Sequence, residues 1–193
     1  RDNSQIDFDS VAVTGVNAGT HFEETTNAAG KSKIDGIEAD ATFRVTDGLT
    51  LGASYAYTNI KIPAAPFPFA TGPTDFVQQG QPFPVYPVYT PKNAGSVFAN
   101  YEMSLGDMTL RTHIDGSYAD GQYSFESEFV DTSGAGATAT RVQNVARKGD
   151  SSFIVNGSIA LADINMGGDG PTATISLWAR NLFDTTYVYR VSV

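Results

Sequence analysis

The chain has 193 residues, 41% of them hydrophobic and 17% charged, with 21 acidic against 12 basic side chains and a formal net charge of −9. It contains no cysteine, which excludes disulfide scaffolds, thiol catalysis and thiolate metal sites, and its acid excess argues against a nucleic-acid partner. No run approaches the roughly 18 consecutive apolar residues of a membrane-spanning helix, whereas a membrane barrel stays open because its strands hide their apolar half by alternation.

Strand signals dominate. Positions 5–13 read as a weak strand through Ile6, Phe8, Val11 and Val13, followed by an irregular stretch at about 14–30. Over 36–46, Ile37, Ala39, Ala41, Phe43 and Val45 alternate with Glu38, Asp40, Thr42 and Arg44. Side chains on a strand point to opposite faces in turn, so this run has one apolar and one charged face. Thr46-Asp47-Gly48 predicts a tight turn, with Gly48 able to take positive φ. The next run sets Leu49, Leu51, Ala53, Tyr55 and Tyr57 against Thr50, Ser54 and Thr58.

The same unit recurs twice. Val97, Ala99, Tyr101, Met103 and Leu105 alternate with Ser96, Asn100, Glu102 and Ser104, although Phe98 breaks the polar face. After a turn at Gly106-Asp107, Met108, Leu110, Ile114 and Tyr118 alternate with Thr109, Arg111, His113, Asp115 and Ser117. The third unit carries Phe153, Val155, Ile159 and Leu161, a glycine-rich turn at Met166–Pro171, then Ala173, Ile175, Leu177 and Ala179. The expectation is an all-β, antiparallel meander of about seven long strands with no helix.

The connections alternate in length. Tight turns fall near 47, 107 and 168, and long irregular segments at about 14–30, 62–91 and 126–150. Short turns at one end and long loops at the other are the habit of outer-membrane barrels. Strands of about ten residues also suit a tilted crossing of roughly 9–11 residues, where globular strands run to about five or six. Tyr55, Tyr57, Tyr118, Tyr123, Phe125, Trp178 and Tyr187 fall toward the long-loop ends, where an amphipathic ring suits the water–lipid boundary.

Candidate chemistry is sparse. Arg111, His113 and Asp115 share a polar face with Glu38, Asp40, Arg44 and Glu102; in a barrel this face lines the lumen, for packing, hydration or contact with a passing ligand, and in a soluble protein it is a solvated face. His113 with Asp115 is half a metal site, but His21, the second histidine, is far off in a loop, so no metal is expected. The loop 63–91 carries eight prolines interleaved with Phe67, Phe69, Phe76, Phe83, Tyr86 and Tyr89. Rings on such an extended frame either grip a sugar, a haem-like plane or a siderophore aryl group, or pack on one another. The glycine-rich stretch 134–139 has no helix pattern after it. Asp163-Ile164-Asn165-Met166-Gly167 begins like a calcium loop, but Thr174 stands where the closing Glu belongs. The sequon Asn156-Gly157-Ser158 lies inside a strand and reads as chance. With no nucleophile–base arrangement, neither an enzyme nor a cofactor is expected.

Four segments then carry a family likeness. Lys33-Ile34-Asp35-Gly36-Ile37-Glu38-Ala39-Asp40, the turn and strand from Thr46 to Thr58, Tyr89-Thr90-Pro91-Lys92-Asn93, and Arg180-Asn181-Leu182-Phe183-Asp184 resemble, in this order, the C-terminal strands of TonB-dependent outer-membrane receptors. The likeness covers roughly residues 30–187. It implies about the last third of a barrel of roughly 22 strands, with the N-terminal plug, its TonB box and the final strand absent. The start at Arg1 in polar sequence, without a signal peptide, fits the same expectation of a fragment. An open sheet in lipid leaves roughly five N–H and five C=O groups unpaired per edge, at several kcal/mol each, so the piece is expected to need the other strands. The resemblance further implies active import of a scarce solute across a Gram-negative outer membrane, with an iron–siderophore complex foremost. The implied partners are outer-membrane lipid, TonB–ExbB–ExbD through the missing N-terminal part, and a small-molecule ligand. A passive porin or autotransporter barrel, and a soluble β-sandwich carbohydrate-binding or adhesion module, are the alternatives.

Overall fold

A computed structural model describes residues 4–11, 16, 20–69, 78–125, 129–133, 140–144, 147–168 and 170–190. Expectations for Val13, Phe76 and the stretch 134–139 lie outside the described residues. The strands are β1 (Gln5–Val11), β2 (His21–Asn27), β3 (Lys33–Arg44), β4 (Leu49–Lys61), β5 (Ala65–Pro66), β6 (Pro82–Phe83), β7 (Asn93–Leu105), β8 (Met108–Ala119), β9 (Phe129–Ser133), β10 (Thr140–Asn144), β11 (Ser152–Asn165) and β12 (Thr172–Ala179). No helix occurs among the described residues.

One antiparallel sheet carries six of them in the order β12-β11-β8-β7-β4-β3. This is a meander, because each strand pairs with the next long one along the chain. The first five long strands have 12 to 14 residues each, long enough to cross a bilayer at a tilt. Register carries each row across the sheet on one face. Phe43 pairs with Leu51, Leu51 with Ala99, Ala99 with Ile114, while Thr50 pairs with Asn100, Asn100 with His113 and His113 with Ser158. A slip of one residue would exchange every member of the two rows.

Among the described residues no second layer packs on the apolar face. Phe43 and Ile175 are 66% exposed and Leu177 is 72% exposed, so no second sheet packs on them. A soluble sandwich would bury these side chains, and a contiguous apolar surface of this kind marks a contact with lipid or protein.

The sheet has six strands rather than about seven. The expected first strand exists, but it pairs with β2 in a separate two-stranded sheet. Its apolar residues serve a different core: Ile6 and Phe8 are buried with Ala28, Ala65, Phe67, Phe83 and Val85. Of the three stretches expected to be irregular, 62–91 and 126–150 each contain a short hairpin, β5 with β6 and β9 with β10, and 14–30 contains β2, the partner of β1. β2 escapes a pattern reading because His-Phe-Glu-Glu-Thr-Thr-Asn has no apolar alternation; pairing alone holds it extended.

Two local features explain irregularities in the sequence. Gly48 is needed for room rather than for positive φ, since a Cβ there would stand 2.2 Å from the Glu102 carbonyl oxygen. In β11, plain alternation would turn Asp163 outward with Ile159 and Leu161, an expensive place for a charge. A bulge intervenes: Leu161 pairs with Ile175 but Ile164 with Ala173, and Asp163 takes φ 60°. The extra residue re-aims the carboxylate to the polar face, within 3.9 Å of Arg111.

The loop core makes a test of this architecture. Phe67→Ala should cost about 3–5 kcal/mol of local stability and speed amide exchange in β1, β5 and β6. Amides of β7 and β8 should stay protected, because that core and the sheet share no buried side chain.

Candidate functional site

The polar face is built by alternate residues of β3, β4, β7, β8 and β11. Toward the short turns it forms a cavity of about 520 Å³ lined by Arg44, Thr50, Asn100, Glu102, Arg111 and His113, among others. Arg111 is its central cation: Nε lies 3.2 Å from Glu102 Oε1, and a terminal nitrogen reaches Asp163. Arg44 folds back on its own turn, with a 3.5 Å ion pair to Asp47 and a hydrogen bond to the Asp47 carbonyl. Of the seven expected polar-face residues, Arg44, Glu102, Arg111 and His113 meet at this cavity. Asp115 is one row above. Glu38 and Asp40 lie farther along β3, opposite Ala56 and Ser54.

His113 and Asp115 belong to a polar chain that crosses the sheet. His113 Nδ1 is 2.6 Å from Asn100 Oδ1 and its Nε2 is 3.1 Å from Asp115 Oδ1. Asn156 Nδ2 donates to Asp115 Oδ2 at 2.8 Å, and Asn156 Oδ1 accepts from the Asn181 backbone N–H at 3.1 Å. Asn181 then closes a ring on Thr185, donating to its carbonyl at 3.0 Å and accepting from its N–H at 2.9 Å. Both Asp115 oxygens are thereby engaged, which gives this half of a supposed metal pair a different task. Among the described residues no group of three His, Asp or Glu is placed to hold a metal ion.

Asn181 and Asp184 both take φ 51°, the left-handed region that Asn and Asp tolerate best among residues with a Cβ. Between them Leu182 donates to the Val155 carbonyl at 2.8 Å, so the segment kinks yet stays on the edge of β11. Asn156, which reads from sequence as a chance sequon, is the joint between the lumenal chain and this kink. Phe98, the apparent flaw in the polar alternation, lies over Gly52, where a Cβ would come 2.1 Å from its ring. Its other neighbour is the His113 ring, stacked at 6.4 Å.

At the long-loop end the outward tyrosines are pinned by polar partners. Tyr55 donates to Asn93 Oδ1 and Tyr118 to Asp120 Oδ1, each at 2.7 Å. Asp120 Oδ2 accepts from the Asn93 backbone and side-chain N–H groups at 2.9 and 2.6 Å. The Tyr118 hydroxyl, followed by the Asn93 donors, holds the Asp120 carboxyl below the usual carboxylate range. Trp178, expected in the same belt, sits on the inner face, because it pairs with Ser158 in the row of His113; Arg180 lies 5.5 Å over its ring.

The loop aromatics divide into two groups. Phe67 and Phe83 are 4% and 3% exposed, with centroids 5.3 Å apart, and Phe69 packs edge-on against Phe67 at 5.6 Å. These rings are occupied with one another. Tyr86 and Tyr89 are at the rim, Tyr86 against Tyr123 at 4.4 Å and Tyr89 stacked on Tyr189 at 6.3 Å. Cations accompany them: Lys148 is 5.2 Å over Tyr123 and Arg190 is 5.4 Å over Phe125.

Two outcomes follow from these geometries. Asn156→Ala leaves an Asp115 oxygen and the Asn181 N–H short of a partner, and should cost about 1–3 kcal/mol, read as a lower heat-denaturation temperature of the folded barrel. A depressed carboxyl contributes stability above its unfolded pKa and loses it as pH falls through the folded one. The Asp120 clasp should therefore hold at neutral pH and release only as the pH falls below the ordinary carboxylate range, seen as faster amide exchange at Asn93 on acidification and, in Asp120→Asn, already at neutral pH.

The family model of TonB dependent receptor-like β-barrels matches residues 3–182. No curated protein and no solved structure matches the chain. The match takes in all six long strands and the Asn181 kink, and it agrees with a bare apolar face, a polar inner face and short turns at one end. This chain belongs to the TonB-dependent receptor family, outer-membrane barrels of Gram-negative bacteria that bind a small-molecule ligand and import it actively with TonB, as receptors and transporters rather than enzymes.

Proposed function

We propose that the chain is the C-terminal part of a barrel of roughly 22 strands that imports an iron–siderophore complex. The reading places a plug against the polar cavity around Arg111, with TonB–ExbB–ExbD acting through the N-terminal part of the same receptor. The observation that carries it is the sheet itself: six long strands with an uncovered outward face, a charged inner face, and outer edges on β3 and β12 that pair with no other described strand. In lipid those edges require further strands. The proposed solute rests on the rim, where Tyr86, Tyr89, Tyr123 and Tyr189 stand beside Lys148. Flat rings with adjacent cations suit an anionic chelate bearing aryl groups.

Uptake of labelled ferric siderophores in cells with and without the gene tests this. Energy-dependent uptake that needs both the receptor and TonB supports it; uptake that persists without TonB overturns it in favour of a passive pore. Replacing Tyr86 and Tyr89 together by alanine should weaken ligand binding by about tenfold while leaving barrel assembly intact. Unchanged affinity in that variant would move the ligand contact away from this rim.

A further inference from the structure

The outward face is not evenly filled. Large apolar side chains cover most of it, but Ala53, Ala99 and Gly116 sit together in neighbouring strands and leave a trough of about 580 Å³, walled by Phe43, Phe153 and Phe183. The register explains the clustering: Ala53 pairs with Val97, Val97 with Gly116, and Ala99 lies in the adjoining row. Its volume falls within the roughly 300–1,000 Å³ of small-molecule sites, and its walls offer nothing to a polar ligand beyond backbone edges and Asp115 at its inner margin.

Above the trough the surface changes character. Tyr57 stands four residues beyond Ala53 on the same face of β4, about 13 Å along the strand. Lys92 Nζ lies 5.5 Å over the Tyr57 ring, which puts an exposed cation on the outward side, at the level where Tyr55 and Tyr118 are pinned to Asn93 and Asp120. An apolar slot under a cationic, ring-lined rim, continuous with the face turned to the bilayer, matches a lipid molecule end to end.

We propose that this trough is a specific site for one acyl chain of a lipid with a net-anionic phosphate head group, the chain lying over Ala53, Ala99 and Gly116 and the phosphate meeting Lys92. The inference rests on the bilayer placement of the outward face and is independent of which solute is imported. The lipid would act as a fixed wedge in an otherwise fluid annulus, filling a surface defect that the protein leaves beneath its outer aromatic ring.

The test uses the full-length receptor that carries this segment, purified in detergent and supplied with trace phosphatidylglycerol or phosphatidylcholine, with bound lipid counted by native mass spectrometry. One phosphatidylglycerol per receptor should be retained in preference to phosphatidylcholine. Ala53→Phe, which fills the trough, should lower retention by about tenfold, and Lys92→Glu should abolish the preference for the anionic lipid. Ala173→Phe, on the same face but outside the trough, should change neither. Heat-dependent gel mobility reports folding of each variant, and Lys92→Glu tests the head-group half should Ala53→Phe fail to assemble. Equal retention of both lipids, or retention untouched by Ala53→Phe in a folded barrel, overturns the proposal, as does a second receptor copy found seated on the trough. Solute uptake measured beside it separates the two readings: lipid retention with no siderophore uptake defeats the solute and leaves the lipid site standing.

Discussion

In hydrocarbon a backbone N–H or C=O has no water to turn to, and this constraint shapes every level of the chain. It requires each strand to be paired over its whole crossing, which is why five of the six long strands have 12 to 14 residues and their ladders run almost without interruption. It also requires the side chains to sort themselves by parity, since the same pleat that pairs the backbone throws successive residues to lipid and to lumen. The bulge at Asp163 shows how strictly this is enforced. A single carboxylate with the wrong parity is accommodated by an extra residue in β11, a left-handed backbone and an ion-pair partner on the other face.

That sorting gives the polar face a second use. Asn100, His113, Asp115 and Asn156 are ordinary lumenal residues by position, yet their hydrogen bonds cross from β7 to β11, with one step along β8, and end on Asn181. The kink there needs two things at once: a residue that accepts the left-handed region, and a side chain that replaces the backbone bonds lost in the turn. Asparagine supplies both, since its amide faces the Thr185 peptide as another strand would. Glycine would satisfy the first requirement only, and aspartate would lack the N–H that meets the Thr185 carbonyl. The Asn-Leu-Phe-Asp segment is thus held by the barrel interior, and Leu182 and Phe183 are left outward, exposed by 47% and 72%.

Much of this was legible before any coordinates. Strands with period two, three tight turns and the alternation of short and long connections all follow from parity and turn chemistry, and they recover the six strands of the meander to within a few residues at each end. What escaped has identifiable causes. β2 and β9 lie in segments whose extended form depends on a partner rather than on pattern. Phe67 and Phe83 could equally have met a ligand or each other, and only the tertiary pairing of β5 with β6, near β1, decides for self-packing. Asn156 carried no signal at all, because its role depends on which residues of β8 and of the kink it faces. Trp178 was placed at the right height but on the wrong face, its parity having been subordinated to its type.

The loop core clarifies why the outer face can serve two masters. Rings that would aggregate if displayed on a long loop are gathered around Phe8, Phe67 and Phe83 with centroid separations of 5.3 to 6.0 Å, so the proline-rich segment has an interior of its own. Its stability then comes from side chains that touch neither the lumen nor the lipid. Tyr86 and Tyr89 remain at the rim because they lie past that interior, where Val88 and Tyr123 bridge the loop back to the strand ends. Changes in the rim therefore need not propagate into strand register, and the sheet can keep one geometry while the surface above it varies. A barrel whose backbone tolerates almost no error gains from a loop that is packed on its own side chains.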